Sequence, residues 1–249
     1  MPTRFPTGIS TERKGKPLSE FGLPDPVGLW HQWYDDFNFY TVESGGLATT
    51  AASNWIITTT QDGSGSATEA VNDEKNGCLK LTNAAGDNDL DFLQTTQEII
   101  KIDSTKRFVF KSKFKVSDAT QSDFVMGVQI RDTTPLAVSD GIFFQKDDGD
   151  ASLDIYCQKT TSDSKYATAI ATVADDTYLE AAFAYDANQY ITAYVDGAQV
   201  GQLDLKSGST AAVTDFLPDT ELCVSFGIQN GEAVAKVMTI DYILAANER

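Results

Sequence analysis

Short runs in which apolar and polar residues alternate constrain the fold of this chain more than any other feature. Between residues 107 and 116, apolar and basic side chains take turns along the chain, as expected for a half-buried β-strand. The same period of two returns between residues 222 and 228. No stretch of useful length has the period of an amphipathic helix. The sequence therefore predicts an all-β protein.

Turn signals divide the rest of the chain into further short strands. Apolar runs separated by Gly, Asn, Asp and Ser cover residues 123–131, 141–145, 153–158, 178–185 and 234–244. Residues 190–195 and 198–205 flank Asp196-Gly197, a pair that favours a tight hairpin turn with positive φ angles. About a dozen antiparallel strands suit a β-sandwich or jelly roll. We expect residues 30–249 to form one such domain.

The first 29 residues have a different composition and are expected to form an extended arm. They hold five of the seven prolines together with several glycines, which disfavours both helix and sheet. The arm is basic, whereas the whole chain has 19 Lys+Arg against 36 Asp+Glu and a net charge of −17. Its predicted partner-binding residues are Arg4, Phe5, Arg13, Lys14 and Lys16.

The acidic balance excludes several classes of partner. A nucleic-acid binder needs clustered cations on a general basic face, and an anionic membrane surface would repel this chain. No apolar run approaches the ~20 residues that cross a bilayer, and the N-terminus lacks the apolar core of a signal peptide, so folding in a cytosol is expected. Cys78, Cys157 and Cys223 lie in apolar runs and are predicted to be buried reduced thiols.

Catalytic residue sets are incomplete in this sequence. The only histidine, His31, lies between two tryptophans and is interpreted as a partly buried side chain that anchors the arm, not as the base of a triad. Glycanases on concanavalin-type sandwiches carry their nucleophile and acid on an E-x-D-x-x-E strand. The nearest match, from Ser152 through Asp154 to Cys157, lacks both glutamates. No catalytic residue, no cofactor and no enzyme activity are predicted.

Two sets of residues remain as candidates for ligand binding. Asp87, Asp89 and Asp91 have alternating spacing and could offer oxygen ligands to calcium. In so acidic a chain we prefer to interpret them as solvated loop carboxylates, so no metal is predicted. Tyr190 and Tyr194 share a face beside the predicted hairpin and could stack on a host glycan, although packing against the sheet is the preferred interpretation.

Several motifs carry a resemblance to known proteins. Trp33-Tyr34-Asp35-Asp36-Phe37, residues 55–60, Tyr194-Val-Asp-Gly197 and residues 239–243 resemble a concanavalin A-like (laminin-G-like) sandwich. The opening Met1-Pro-Thr-Arg-Phe-Pro6, the Pro24-Asp-Pro26 motif and residues 122–127, 132–135, 146–150 and 226–231 resemble virion structural proteins of tailed bacteriophages, especially marine ones.

This resemblance implies a non-enzymatic protein of the virion, most plainly a capsid decoration or cement protein. The arm would attach it to the major capsid protein or to another virion protein, as a homo-oligomer on the outer surface of the head, after synthesis in the host cytoplasm. Repeated copies on a symmetric shell would add avidity. The alternative is a host-glycan-binding, receptor-binding module of a tail or fibre.

Overall fold

The computed structural model of this chain describes residues 30–38, 40, 54–62, 65–72, 74, 77–160, 162–206 and 211–249. Residues 1–29 lie outside this set, and with them the predicted arm residues Arg4, Phe5, Arg13, Lys14 and Lys16. In the described part, one short 3-10 turn at Val213–Asp215 accompanies sixteen strands. The all-β prediction is therefore confirmed, with more strands than the predicted dozen. None of the described helical turns is long and apolar enough to span a membrane.

Sixteen strands follow one another along the described part of the chain. They are β1 (Trp30–Asp35), β2 (Trp55–Thr60), β3 (Thr68–Asn72), β4 (Cys78–Thr82), β5 (Leu90–Thr95), β6 (Ile100–Lys101), β7 (Phe108–Val116), β8 (Ser122–Gln129), β9 (Gly141–Lys146), β10 (Ser152–Thr160), β11 (Asp163–Thr172), β12 (Leu179–Tyr185), β13 (Tyr190–Val195), β14 (Ala198–Asp204), β15 (Glu221–Asn230) and β16 (Val237–Glu248).

The strands form two antiparallel sheets that enclose the core. Sheet I has the order β14-β13-β12-β7-β16-β4-β3, and β1 pairs with β16. Sheet II has the order β11-β10-β9-β8-β15-β5-β2, and β6 pairs with β15. Aromatic side chains join the two sheets across the interior, since the Phe114 ring of β7 meets the Phe124 ring of β8 with centroids 5.3 Å apart. The architecture is the predicted antiparallel β-sandwich.

Strand β7 shows how the alternation in the sequence becomes a two-faced strand. Its apolar residues, including Phe110 and Phe114, are buried in the core. The lysines between them lie on the outer face of sheet I, where Lys111 pairs with Glu180 (Nζ to Oε1, 2.9 Å). Lys113 and Lys115 form ion pairs with acidic residues in the same way. These pairs neutralise the lysines of the outer face.

The predicted hairpin between β13 and β14 is confirmed. Val195 and Ala198 are register partners at its end. Asp196 and Gly197 between them have φ angles of 50° and 78°, which is the primed turn that the Asp-Gly pair favours. The predicted state of the cysteines is confirmed as well, because all three are buried free thiols.

Sequence patterning missed strand β11 (Asp163–Thr172). Most of its residues are small or polar, and none of them is fully buried, since half are partly buried and half are exposed. A bulge also shifts its register against β10 between Leu153 and Ile155. Because a bulge breaks the period of two, the strand carries no clear alternation to detect.

Candidate functional site

The outer face of sheet II carries the candidate site. Along β10, the side chains of Leu153, Ile155 and Cys157 belong to the core. Because side chains alternate along a strand, Asp154 and Tyr156 point to the outer face.

A loop of the chain covers the centre of this outer face. Residues 130–140, between β8 and β9, lie over it and are held by glutamines that project from the sheet. Gln129 Nε2 donates to the carbonyl of Pro135 (3.0 Å), and Gln158 Nε2 donates to the carbonyl of Val138. The loop is therefore attached to sheet II by buried side-chain to backbone hydrogen bonds.

Apolar side chains fill the space beneath this loop. Leu136 and Val138 pack on a second apolar cluster that is separate from the main core, with members Leu90, Phe92, Val125, Phe143 and Tyr156. The centre of the outer face is thus occupied by the protein itself. A ligand surface on this face would therefore lie towards an edge of the sheet, and the edge at β10 and β11 carries an exposed aromatic side chain.

Three aromatic rings run from the covered centre to that edge. Phe143, Tyr156 and Tyr166 are register partners on β9, β10 and β11. The Phe143 and Tyr156 rings have centroids 5.4 Å apart and planes 10° from parallel, and the Tyr156 and Tyr166 rings are 5.5 Å and 25° apart. Phe143 is 2% exposed, whereas Tyr166 is 61% exposed. We call these three residues the aromatic ladder.

The ladder fixes the position of its exposed end. One face of the Tyr166 ring is covered by Tyr156, and β11 is the last strand of sheet II in the described part of the chain. The opposite ring face is therefore directed away from the sheet. A ring that is held in place by stacking loses little conformational freedom when a flat apolar surface packs on it.

Polar side chains line the ladder on one side. Gln145 and Asp154 are register partners beside Phe143 and Tyr156. Gln145 Nε2 donates to Asp147 Oδ1 (2.6 Å), and Asp154 Oδ1 accepts from the backbone N–H of Ala169 (2.7 Å). Ala169 has a φ of 52°, so Asp154 stabilises the bulge of β11. Burial is the main cause that raises the pKa of Asp154.

The structure places the predicted glycan contacts on the other sheet. Tyr190 and Tyr194 lie on β13 at positions that alternate with the core residues Ile191 and Ala193, so they point outward from sheet I. Both are half-buried. They share a face as predicted, but neither belongs to the aromatic ladder.

The three aspartates considered for calcium do not come together. Asp89 is buried, and its two carboxylate oxygens accept from the backbone N–H groups of Asp62 (2.6 Å) and Gly86 (2.9 Å). Asp91 is buried on β5, and Asp87 is exposed in the preceding turn. Across the described ranges, no group of three or more His, Cys, Asp or Glu side chains could hold a metal. The three carboxylates have separate surroundings, and the preferred interpretation as solvated loop carboxylates is wrong for Asp89 and Asp91, because the fold buries both.

The strand compared with the glycanase pattern lacks the necessary carboxylates. Asp154 points outward with Tyr156, but Cys157 is buried in the core, and its Sγ donates to the carbonyl of Phe216 (3.4 Å). Burial raises the pKa of Cys157. His31 is half-buried on β1, with Nδ1 3.2 Å from Asn247 Oδ1, and the arm that it is predicted to anchor lies outside the described residues.

Comparison with known proteins gives similarity at the level of structure. No family model matches the sequence, and no curated protein matches it. A protein of unknown function from Shewanella oneidensis MR-1 superposes with a TM-score of 0.56 and 16% identity, over 94% of both chains. An endo-1,3-beta-glucanase from Streptomyces sioyaensis gives 0.60 and 12%, over 90% of this chain and 99% of that one.

A third similar structure contains a bound product. It is a GH16 protein of a mixed-linkage glucan system from Bacteroides ovatus, with a TM-score of 0.55 and 12% identity over 85% of this chain and 98% of that one. At such identities the likeness is one of fold. The fold is a concanavalin A-like jelly-roll β-sandwich, as the sequence resemblance implied.

Proposed function

We propose that this protein is a non-catalytic glycan-binding module in which Tyr166 is the sugar-stacking residue. The observation that carries this proposal is the aromatic ladder, which ends in a tyrosine that is 61% exposed. A large exposed ring whose orientation is fixed by stacking offers a preorganised surface on which a flat apolar ligand can pack. The apolar face of a sugar ring can pack on the free face of Tyr166, while a neighbouring sugar of the same chain can reach the carboxylate of Asp154 on β10.

The position of the site follows from the loop of residues 130–140. Because this loop fills the centre of the outer face of sheet II, a sugar chain cannot lie across the middle of the sheet. The edge at β10 and β11 remains open. The similar structures from Streptomyces and Bacteroides are proteins whose names refer to glucans, which supports a glycan as the class of ligand.

The proposal that this module is non-catalytic rests on the residues of β10. Glycoside hydrolysis by the common mechanisms needs two carboxyl groups, about 5–5.5 Å apart for retention or about 6.5–9.5 Å for inversion. The two outward positions of β10 nearest to Asp154 hold Ser152 and Tyr156, so the strand itself offers one carboxylate, and the other carboxylates nearby belong to the turn between β9 and β10. We expect β-1,3- and β-1,4-glucans incubated with the protein to release no new reducing ends, and measurable release would contradict this part of the proposal.

Isothermal titration with neutral glucan hexamers tests the binding. The variant Tyr166→Ala should bind about fivefold more weakly, because aromatic stacking contributes ~1 kcal/mol. Tyr34→Ala is the matched control, since Tyr34 is 53% exposed on β1 of sheet I. Wild-type affinity in the Tyr34 variant supports the proposal. Equal losses in both variants, or no binding of any hexamer by the wild type, would contradict it.

The place of this module in a phage particle is a proposal that rests on the sequence resemblance. In this proposal the arm of residues 1–29 attaches copies of the protein to a capsid or other virion protein, and the sandwich presents its glycan site to the host. Deleting residues 1–28 and mixing the product with undecorated heads tests the attachment. Loss of binding supports the arm mechanism, and full retention would overturn it.

A further inference from the structure

Carboxylates are concentrated on the polar side of the aromatic ladder. Asp154 lies two residues from Tyr156 on the same face of β10, so their Cα atoms are about 6.6 Å apart. Asp147 is joined to this row through its hydrogen bond with Gln145. Asp148 and Asp150 lie in the same turn between β9 and β10.

A fifth carboxylate lies at the base of this turn. Asp123 Oδ1 accepts from the backbone N–H of Asp148 (2.5 Å). Burial raises the pKa of Asp123, and the charges of Asp148 and Asp147 raise it further. The pKa of Tyr156 is raised by burial and then by Asp154 and Asp147. The ladder therefore lies in a negative electrostatic potential.

The lysine at the start of this turn compensates part of the cluster. Lys146 is the last residue of β9 and is buried. Its Nζ donates to the backbone carbonyls of Ser122 and Thr120, and its charge interacts with Asp123, Asp148 and Asp150. Because Phe144 is a core residue on the same strand, Lys146 projects from the core side of β9, opposite to Gln145. Asp147 and Asp154 are therefore the carboxylates that act on a ligand at the outer face.

From this arrangement we infer that the site selects sugars by charge: it prefers glycans with protonated amino groups, such as 2-amino-2-deoxy sugars, to neutral glycans, and it disfavours uronates. This inference rests on the glycan-binding function proposed above. Stacking on Tyr166 supplies affinity for any flat sugar ring. The carboxylates of Asp147 and Asp154 add attraction for a cation and repulsion for an anion.

Three hexamers of one linkage separate the inference from the proposed function. We would titrate wild-type protein with β-1,4-linked hexamers of glucose, glucosamine and glucuronate, at a pH at which the amines are protonated. We expect the glucosamine hexamer to bind about fivefold more tightly than the glucose hexamer and the glucuronate hexamer about fivefold more weakly, as for charge pairs at a surface. Equal affinities, or the reverse order, would overturn the inference and leave the proposed function standing.

Variants distinguish a local effect from the attraction of any polycation to an acidic protein. Asp154→Asn keeps an oxygen that can accept from Ala169 and should remove at least half of the preference for glucosamine over glucose. The control Asp87→Asn removes an equal charge from an exposed turn next to β5, four strands from β10 and about 19 Å away, beyond the screening length at physiological salt. An equal effect of both variants on the preference for glucosamine would overturn the inference. The variant Tyr166→Ala tests the proposed function separately, because it should weaken the binding of all three hexamers.

Discussion

The Tyr166 ring stacks on the Tyr156 ring with centroids 5.5 Å apart and planes 25° from parallel. Tyr156 in turn stacks on Phe143, which the loop of residues 130–140 buries. An exposed residue is thereby attached, ring by ring, to a rigid part of the sheet. This relationship makes the orientation of Tyr166 a property of sheet II and not of the edge strand alone.

The first prediction concerns the support that Tyr156 gives to Tyr166. Tyr156→Phe keeps the ring and should leave the affinity for glycan unchanged. Tyr156→Ala removes the stacking partner, so Tyr166 gains conformational freedom and binding should weaken about threefold to tenfold. Titration calorimetry of both variants checks this. If Tyr156→Ala binds as well as Tyr156→Phe, the ladder does not orient Tyr166.

A second prediction concerns a close approach within sheet II. A Cβ atom on Gly227 of β15 would lie 2.5 Å from the carbonyl oxygen of Asp91 and against the ring of Phe92. Gly227→Ala must push these strands apart, and we expect a loss of about 1–3 kcal/mol in the free energy of unfolding. Urea denaturation measures this loss. An unchanged midpoint would show that the strands have room for a methyl group.

The third prediction concerns the pH dependence that Asp91 causes. This carboxyl is fully buried, and the carboxyl of Glu69 lies within hydrogen-bonding reach of it. Burial first, and then the nearby Glu69, raises the pKa of Asp91 from 3.8 to about 9. The folded state therefore keeps a proton that the unfolded state releases. The contribution of the Asp91 carboxyl to the free energy of unfolding is complete below pH 3.8 and is lost as the pH rises towards 9.

Asp91→Asn removes this dependence. We expect the variant to gain about 2–4 kcal/mol relative to wild type between pH 5 and pH 8. Denaturation at a series of pH values measures the difference. A constant difference across this range would mean that Asp91 is ionised in the folded protein.

The fourth prediction concerns Asp118, whose contribution to stability changes with pH in the direction opposite to that of Asp91. Lys236 Nζ lies 2.7 Å from Asp118 Oδ2 and 2.6 Å from Glu232 Oε1, and its side chain is 3% exposed. Burial alone would raise the pKa of Asp118, but hydrogen bonds from Lys236 and from the backbone of Gln121 and Thr120 outweigh burial and lower it to about 2. This contribution is present above pH 3.8 and is lost as the pH falls towards 2.

Two variants of this cluster measure its contribution at neutral pH. Lys236→Met leaves two carboxylates without their cation and should cost about 2 kcal/mol in the free energy of unfolding. Asp118→Asn keeps the pair between Lys236 and Glu232 and should cost less. If the two variants reverse this order in thermal or urea denaturation, the cluster does not depend on Lys236 as its centre.

Local patterns were enough to predict the sandwich. Alternation in β7 predicts a strand with one buried face. The Asp196-Gly197 pair predicts the hairpin between β13 and β14. Both predictions depend on neighbouring residues only. The same reasoning misreads Asp91. An aspartate in an acidic run is usually solvated, and its burial on β5 depends on the pairing of β5 with distant strands.

The candidate site was beyond such reasoning for a physical reason. Phe143, Tyr156 and Tyr166 are separated in sequence, and they form a ladder because the registers of β9, β10 and β11 align them. The bulge at Ala169 hides β11 from a search for alternation. Tyr190 and Tyr194, which share a strand, were visible in the sequence, whereas a cross-strand site was not.

An NMR structure of the complex tests the central claim most directly. With ring-labelled tyrosines, intermolecular NOEs between a bound glycan hexamer and the protein identify which of the nine tyrosines contacts the sugar. We predict NOEs from sugar protons to the Tyr166 ring, with weaker contacts to Tyr156. NOEs to Tyr190 or Tyr194 on sheet I, without any to Tyr166, would contradict the account.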